Sequence, residues 1–320
     1  MSQRDVVGLE HSRLPARGED GACISSGRQQ LSDNSGQGDE PPLACPACGR
    51  LTRHLFLYAK NDCNILRCTA CGLGRAQTYG FDLASYYTGD YFSGKRADGY
   101  ADYRGAERTL RREFAETVRF IRTLHSSGRL LDVGCAYGFF LQEAKAYFDV
   151  SGIELAQDAA EHCRGSGLNV LTGQAEAGVL RELGMFDVIT LLDVIEHLPS
   201  PRETVGLLAH HLNPGGILVV TTGDFGALSA RLAGRRWRLM TPPQHLWFFS
   251  QESMRRMMTA LGLRVEHLDY PWKLVPLSLI HFQLARMAGH HLHQVPSWGG
   301  LGLPVNLFDA MRVVLRKPMP

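Results

Sequence analysis

The amino-acid sequence predicts an α/β fold, in which helices cover both faces of a doubly wound, mostly parallel sheet and a small cysteine-bearing module precedes that sheet. Three observations carry this prediction. Short apolar strands alternate with helical segments from Arg129 onwards. A glycine-rich turn at residues 134–138 joins the first of these strands to a helix. Two Cys-x2-Cys pairs stand in front of them, at residues 45–48 and 68–71.

Length and charge limit the possible functions. The chain has 320 residues, enough for one large domain and a small accessory module. Its 34 basic and 32 acidic side chains leave a net charge of +2, so no global field would recruit nucleic acid or an anionic membrane. No apolar run reaches the length of a transmembrane helix, and the N-terminus lacks the apolar core of a secretory signal. These observations predict a cytoplasmic protein.

The chain begins with a polar stretch, residues 1–40, that is rich in Gly, Ser, Gln and Asp. Such a composition cannot bury enough apolar surface to offset the entropy of ordering the chain, so we expect a disordered tail. From residue 41 to residue 80 the composition changes to prolines, glycines and cysteines. The pattern of residues 41–80 predicts a compact module with two short strands, at 54–58 and 63–67.

The four cysteines of this module form two pairs. Cys45 and Cys48 are separated by 19 residues from Cys68 and Cys71. This spacing predicts a zinc ribbon, in which four thiolates close a tetrahedral and therefore structural metal site. Two disulfides, a redox pair or simply buried cysteines are the alternative interpretations. The small number of basic residues around the module argues against a nucleic-acid interface.

Residues 81–128 connect the ribbon to the sheet. Residues 106–124 have the apolar spacing of an amphipathic helix. The preceding aromatic side chains could close over a ligand as a lid or pack the ribbon against the main domain, and the sequence leaves both open. These aromatic residues are Tyr86, Tyr87, Tyr91, Phe92, Tyr100 and Tyr103.

The main domain, residues 129–320, is predicted as seven strands with helices between them. An insertion at about 271–304 interrupts the pattern. Its apolar run, 274–285, predicts a core helix or, as the alternative, an interfacial one, and its histidines at 290, 291 and 293 fit a solvated loop better than a second metal site. The predicted strands are 130–134, 150–154, 168–171, 186–192, 217–222, 264–268 and 309–315, and the predicted helices are 139–147, 156–164, 204–212 and 250–261.

The glycine turn and a later carboxylate together predict an adenosine-type ligand. Gly134 and Gly138 let the backbone approach a ligand closely at the carboxyl end of the first strand. Glu154 ends the next strand, where a carboxylate can accept two hydrogen bonds from a ribose diol. A dinucleotide would require a third glycine, which is missing, whereas the acid before the turn, Asp132, suits a ligand with an amino group and a sulfonium. The pattern therefore favours the second kind of ligand.

Five motifs in order resemble the class I S-adenosylmethionine-dependent methyltransferases. They run across residues 129–270 and consist of Asp132-x-Gly134-x-Ala136-x-Gly138, Glu154, Phe186-Asp187-Val188-Ile189, Asp193-Val194-Ile195-Glu196-His197-Leu198 and Leu212-Asn213-Pro214-Gly215-Gly216. Ala136 departs from the family, which usually has a second glycine there; because alanine is small, we expect local adjustment without loss of binding. The resemblance implies a Rossmann-like fold and S-adenosylmethionine as the cofactor.

The same resemblance implies roles for individual residues. Asp132 and the backbone of Gly134 should face the methionine part of the cofactor, and Glu154 should bind the ribose hydroxyls. Residues after the third strand should flank adenine, and residues after the fourth should line the cofactor and the acceptor. The implied cofactor set is Asp132, Gly134, Cys135, Gly138, Glu154, Leu155, Gln174, Ala175, Asp193 and Val194.

Methyl transfer requires the protein to align an acceptor and, for some acceptors, to remove a proton. The candidate bases are His197 and His245, and after them Glu196 and Asp193. Each histidine could instead hold its own loop through a backbone contact. We expect a small-molecule acceptor, such as a sugar, a lipid-linked compound or a natural-product intermediate. The alternative function is a zinc-ribbon scaffold that keeps the cofactor fold without turnover, and the choice of O, N or C as the acceptor atom is open.

Overall fold

The computed structural model describes residues 42–78, 86, 103–277, 280–281 and 301–320. The predicted tail at 1–40, most of the aromatic segment, and the histidines of the insertion lie outside these residues. Residues Pro41–Pro320 group into one compact unit. Within the described part of the chain, no helix combines the length and the apolar character that crossing a bilayer requires.

The described residues include fifteen strands and seven α-helices, numbered here along the chain. The strands are β1 (Leu43–Ala44), β2 (Leu51–Thr52), β3 (His54–Lys60), β4 (Cys63–Cys68), β5 (Gly74–Gln77), β6 (Arg129–Val133), β7 (Asp149–Glu154), β8 (Asn169–Thr172), β9 (Phe186–Leu192), β10 (Leu212–Gly223), β11 (Trp247–Phe248), β12 (Arg264–Asp269), β13 (Lys273–Pro276), β14 (Gly302–Val305) and β15 (Ala310–Arg316). The helices are α1 (Glu107–Leu124), α2 (Phe139–Ala144), α3 (Gln157–Gly165), α4 (Ala177–Leu183), α5 (Pro201–His210), α6 (Leu228–Ala233) and α7 (Gln251–Ala260).

The main sheet has seven strands in the order β12-β15-β10-β9-β6-β7-β8. Strands β6 to β10 run parallel to one another, whereas β15 lies antiparallel between β10 and β12. The predicted doubly wound, mostly parallel seven-stranded sheet is therefore confirmed. Because β6 and β9 are central, their carboxyl ends meet at the point where the strand order reverses, which is where open α/β sheets bind ligands.

Both faces of the sheet are covered, and neighbouring residues of one strand belong to different hydrophobic cores. On β6, Leu131 belongs to the core that includes the α7 methionines Met254 and Met257, while Leu130 belongs to the core that includes Val118 and Ile121 of α1. Strands buried on both sides read as continuous apolar runs rather than as an alternation. This explains why these strands were recognisable in the sequence.

Several predicted boundaries were wrong. The strand predicted at 217–222 begins at Leu212, because residues 213–216 continue it through a register irregularity instead of forming a separate turn. The helix predicted at 204–212 is α5, which begins at Pro201, since proline suits the first helical position, and ends at His210. The helix predicted at 139–147 ends at Ala144. Helices α4 and α6 and strands β1, β2, β5, β11, β13 and β14 were not predicted. Strand β13 occupies the start of the 274–285 run, for which a helix was predicted.

The ribbon, residues 42–78 of the described chain, forms a second sheet with a strand from the main domain. Strands β3, β4 and β5 form an antiparallel meander, and β11 pairs with β5 at its edge. The core of this region joins Ile65 and Ala76 of the ribbon to Trp237 and Phe248 of the main domain. A segment after β10 is thus built into the ribbon's own sheet.

Candidate functional site

A cavity of about 390 Å³ opens at the carboxyl ends of β6, β7 and β9. Its size lies in the range of small-molecule sites. It is bounded by the glycine turn, by the loop after β8 and by the turn after β9. Its lining residues include Tyr103, Gly134, Ala136, Glu154, Leu155, Gln174, Ala175, Asp193, Val194, His197, Ser200 and Glu203.

The glycine turn forms one wall of this cavity with a backbone that few residues tolerate. Gly134 has φ +75°, and a Cβ built on it would lie 2.7 Å from Cγ2 of Val194. Only glycine can therefore occupy this position without displacing Val194. Ala136 also has a positive φ, +47°, a conformation that costs an L-residue about 1–2 kcal/mol.

Glu154 stands at the end of β7 with only 5% of its surface exposed. Its Oε2 accepts a hydrogen bond from the Ala136 backbone N–H at 2.7 Å, and its Oε1 accepts one from the Ala156 N–H at 2.8 Å. Burial raises the pKa of this carboxyl, while the two backbone donors act in the opposite direction. Each carboxylate oxygen keeps a further lone pair, so the group can still accept ligand hydroxyls.

Asp132 lies behind the turn instead of facing the cavity. Its side chain is 3% exposed, and Oδ1 accepts a hydrogen bond of 2.6 Å from the Thr190 hydroxyl on β9. Burial raises the pKa of this carboxyl to about 7, and the nearby Glu154 charge adds to the shift. In the described chain, Asp132 is not among the residues that line the cavity. Its role toward the methionine part of a cofactor stays a prediction.

The other residues of the predicted cofactor set divide into two groups. Leu155, Gln174, Ala175, Asp193 and Val194 line the cavity together with Gly134 and Glu154. Cys135 and Gly138 pack away from it. The Cys135 side chain is buried in the core that contains Leu141, and a Cβ on Gly138 would meet Leu168 at 2.6 Å.

Asp193 is held by a lysine that the sequence analysis did not select. Its Oδ2 lies 2.9 Å from Nζ of Lys273 on β13, and Lys273 also lies 3.4 Å from Oε1 of Glu113 on α1. Oδ1 accepts a hydrogen bond from the Thr221 hydroxyl at 2.8 Å. Partial desolvation works against the charged carboxylate, whose side chain is still 42% exposed, but the Lys273 ammonium outweighs it and leaves the pKa of Asp193 lowered. No local motif marks Lys273, because its partners are 80 and 160 residues away.

His197 and His245 come together beside the cavity, with ring centroids 4.6 Å apart. His197 lies in a short 3-10 turn after β9, and its Nδ1 donates to the Gln244 carbonyl at 2.8 Å. Nδ1 of His245 donates to the Leu239 carbonyl at 2.8 Å. Burial lowers the pKa of His197 to about 4 and that of His245 to about 3. Both imidazoles are consequently neutral at physiological pH.

Glu196 completes this group. It is 4% exposed, and burial followed by the Asp193 charge raises the pKa of its carboxyl to about 8. One ligand atom from each of Glu196, His197 and His245 lies within 4.8 Å of the other two. The sequence analysis selected all three residues as candidate bases, and the structure brings them into one cluster.

The ribbon positions the loop that carries His245. The Leu246 backbone N–H donates to the Glu196 carbonyl, and the Ala76 N–H of the ribbon donates to the Leu246 carbonyl, each at 2.9 Å. The Asn61 amide donates to the Pro242 carbonyl at 2.7 Å. The loop at 241–246 is therefore held on one side by the turn after β9 and on the other side by the ribbon.

The four ribbon cysteines have the geometry of a metal site. Sγ of Cys45 lies 3.5 Å from that of Cys71, and Sγ of Cys48 lies 3.9 Å from that of Cys68. A disulfide would bring two sulfurs to about 2.05 Å. A tetrahedral zinc with bonds of about 2.3 Å would hold its thiolates about 3.8 Å apart. The four side chains fit such an ion, and they do not fit two disulfides.

Known proteins are similar to the part of this chain that contains the cavity. A family model described as a methyltransferase domain matches residues 106–268. A ubiquinone biosynthesis O-methyltransferase of Methylococcus capsulatus is 35% identical over 138 residues, which cover 40% of this chain and 58% of that protein. The enzyme of the same name from Azoarcus sp. is 37% identical over 155 residues, covering 44% and 66%. The chain thus spans less than two thirds of the length of these relatives.

Among solved structures, a SAM-dependent methyltransferase from Archaeoglobus fulgidus is similar at a TM-score of 0.46 and 19% identity. That alignment covers 66% of this chain and 94% of the other.

Proposed function

The chain belongs to the methyltransferase-domain family, and from this membership we propose that it transfers a methyl group from S-adenosylmethionine to a hydroxylated small molecule. The observation that carries the proposal is the cavity at the carboxyl ends of β6, β7 and β9, which is lined by both Glu154 and His197. Glu154 suits an adenosine ligand. His197 belongs to a cluster of polar groups that can bind an acceptor.

The cavity wall fits the cofactor. S-adenosylmethionine supplies a methyl group on a sulfonium, so its displacement needs alignment more than activation. Gly134 lets the cofactor approach the backbone closely, and Glu154 accepts hydrogen bonds from the ribose hydroxyls. Gln174 and Ala175 flank the adenine, while Asp193 and Val194 lie between the cofactor and the acceptor.

The residues after β9 would hold the acceptor. His197 lines the cavity, and its ring is fixed by the hydrogen bond from Nδ1 to the Gln244 carbonyl. In a neutral imidazole whose Nδ1 carries the proton, Nε2 is the accepting atom. We infer that this side of the cavity receives a polar group of the acceptor. The names of the relatives, which are O-methyltransferases, support oxygen as that group.

The ribbon would bind one structural zinc ion through Cys45, Cys48, Cys68 and Cys71. A closed four-thiolate site leaves no position for a substrate, so the ion would contribute to folding and not to the methyl transfer. Its consequence for the site would be indirect: the ion stabilises the strands whose edge holds the His245 loop.

The test is transfer of label from methyl-labelled S-adenosylmethionine into an extract that is then separated into small-molecule, lipid, protein and RNA fractions. We expect label in the small-molecule or lipid fraction, and only with enzyme present. Label confined to protein or RNA would contradict the proposed acceptor class. Absence of label from all fractions, with cofactor binding shown separately, would support the scaffold alternative.

A further inference from the structure

We propose that Glu196, His197 and His245 form a binding site for a divalent transition-metal ion, separate from the ribbon cysteines, that takes an oxygen of the acceptor as a further ligand. The second half of this statement rests on the proposed function, whereas the binding of the ion does not. The three side chains come from two loops that the fold brings together, the turn after β9 and the loop before β11.

Glu196 gives the first reason. Its side chain is 96% buried, and in the described part of the chain its Oε2 has no hydrogen-bond partner. A buried carboxyl oxygen without a hydrogen-bond partner is costly, because it has lost its hydrogen bonds to water. Such atoms in a native structure call for an explanation, and a bound cation beside two imidazoles is one that the surroundings supply.

The orientation of the histidines gives the second reason. A carbonyl oxygen cannot donate, so the contacts of His197 with Gln244 and of His245 with Leu239 place a proton on each Nδ1. In neutral rings this makes Nε2 the atom with the lone pair. Metal-binding histidines almost always have the same arrangement, in which the ring nitrogen away from the ion donates to a carbonyl or a carboxylate.

The donor set indicates the class of ion. Two imidazoles and one carboxylate suit zinc, iron(II), manganese(II) and cobalt(II) better than magnesium or calcium, which prefer oxygen ligands. Bonds of about 2.1 Å place two ligand atoms at most about 4.2 Å apart. Since one possible ligand atom from each of the three side chains lies within 4.8 Å of the other two, small side-chain rotations would close the site.

The position of the site connects it to the reaction. His197 lines the cavity, together with Asp193 and Val194, and three protein ligands leave coordination positions open. An ion there draws an oxygen of the acceptor to this wall and lowers the pKa of a bound hydroxyl, whose proton leaves to the solvent. The acceptor oxygen would then approach the methyl group with its lone pair available.

The experiment is equilibrium dialysis of the zinc-loaded protein against Mn²⁺, followed by elemental analysis of all divalent ions per chain. Manganese is the weakest binder of the first-row series and does not displace zinc from thiolates. We expect two ions per chain in the native protein. Glu196→Gln and His245→Ala should each lower the affinity for the second ion at least tenfold.

The matched control is His211→Ala. His211 also donates from Nδ1 to a backbone carbonyl, that of Gly184, at 2.8 Å, but it is outside the cluster. This variant should keep two ions. One ion per chain in the native protein, or two ions with unchanged affinity in Glu196→Gln, would overturn the proposal.

Folding is checked by circular dichroism, and if His245→Ala does not fold, Glu196→Gln decides the question, because it preserves the size of the side chain. The readout needs neither cofactor nor acceptor. A missing second ion therefore leaves the proposed methyl transfer intact, and a missing methyl transfer leaves the ion count intact.

Discussion

Two carboxyls at the ends of neighbouring strands have opposite environments. Glu154 lines the cavity and accepts two backbone N–H groups, whereas Asp132 turns inward to the Thr190 hydroxyl. The sequence could place both at strand ends, because a strand ending in an acid next to a glycine turn is a local pattern. It could not show which way Asp132 turns, since that depends on a hydroxyl 58 residues away.

Asp132 makes the stability of the ligand-free protein depend on pH. Its pKa is raised to about 7 in the folded protein from an ordinary 3.8, so the folded state holds the proton longer than the unfolded state. The contribution of this group to stability is therefore lost as the pH rises through that window. We expect Asp132→Asn to raise Tm relative to the native protein, and to raise it more at about pH 8 than at about pH 5.

The control for this prediction is Asp149→Asn, because the Asp149 side chain is 77% exposed. The change in Tm between the two pH values should be larger for Asp132→Asn than for Asp149→Asn. An Asp132→Asn effect that is equal at the two pH values would contradict the raised pKa.

Gly134 provides a steric test of the turn. Gly134→Ala places a Cβ against Val194 at a φ of +75°, so we expect a loss of about 1–3 kcal/mol in the free energy of unfolding, together with weaker cofactor binding. Denaturant unfolding and calorimetry measure the two effects.

Gly178 is the matched control for that variant. It lies in α4 and has no atom within 4 Å of the position of a new Cβ, so Gly178→Ala should stabilise the protein slightly. Equal effects of the two alanines would show that the turn is not constrained.

At the scale of elements, the pairing of β11 with β5 joins the ribbon to the site. The sequence analysis recognised the cysteine pairs and His245 as separate features. It did not predict their connection, because β11 has only two residues and its partner has four, and neither has a pattern that distinguishes a strand from a loop. Phe248 shares a buried cluster with Ile65 and Ala76, residues that are distant in sequence, so the pairing depends on tertiary packing.

The pairing predicts that zinc removal loosens the His245 loop. Releasing the ion with a mercurial reagent should speed amide hydrogen exchange at Ala76 and Leu246, whose hydrogen bonds connect the ribbon, the loop and the turn after β9. Amides of β8, at the far edge of the main sheet, should exchange at their former rate. Unchanged exchange at Leu246 would show that the loop does not depend on the ribbon.

At the scale of the whole molecule, the sequence was most informative where the fold is most regular. The five parallel strands were predicted because each is a short apolar run between helices, and their order places β6 and β9 at the ligand edge. The contacts that complete the site were not predictable in this way. Lys273 reaches Asp193 and Glu113 from β13, a strand that has no counterpart in the predicted pattern.

The same architecture predicts a linkage between cofactor and stability. A ligand that binds only the folded state stabilises it by about 2.7 kcal/mol at a concentration of one hundred times Kd. S-adenosylmethionine should therefore raise Tm in a concentration-dependent manner, whereas a nicotinamide dinucleotide at equal concentration should not. Thermal unfolding monitored by calorimetry measures both, and a larger shift with the dinucleotide would contradict the choice of ligand.

The most direct measurement is calorimetric titration of S-adenosylmethionine into the native protein and into Glu154→Ala, with Glu161→Ala as the control because Glu161 is exposed on α3 and does not line the cavity. If the cavity is the cofactor site, the native protein and the control bind one equivalent with the same Kd, and Glu154→Ala binds more than tenfold more weakly. An unchanged Kd in folded Glu154→Ala, or no binding by the native protein, would contradict the assignment of the site.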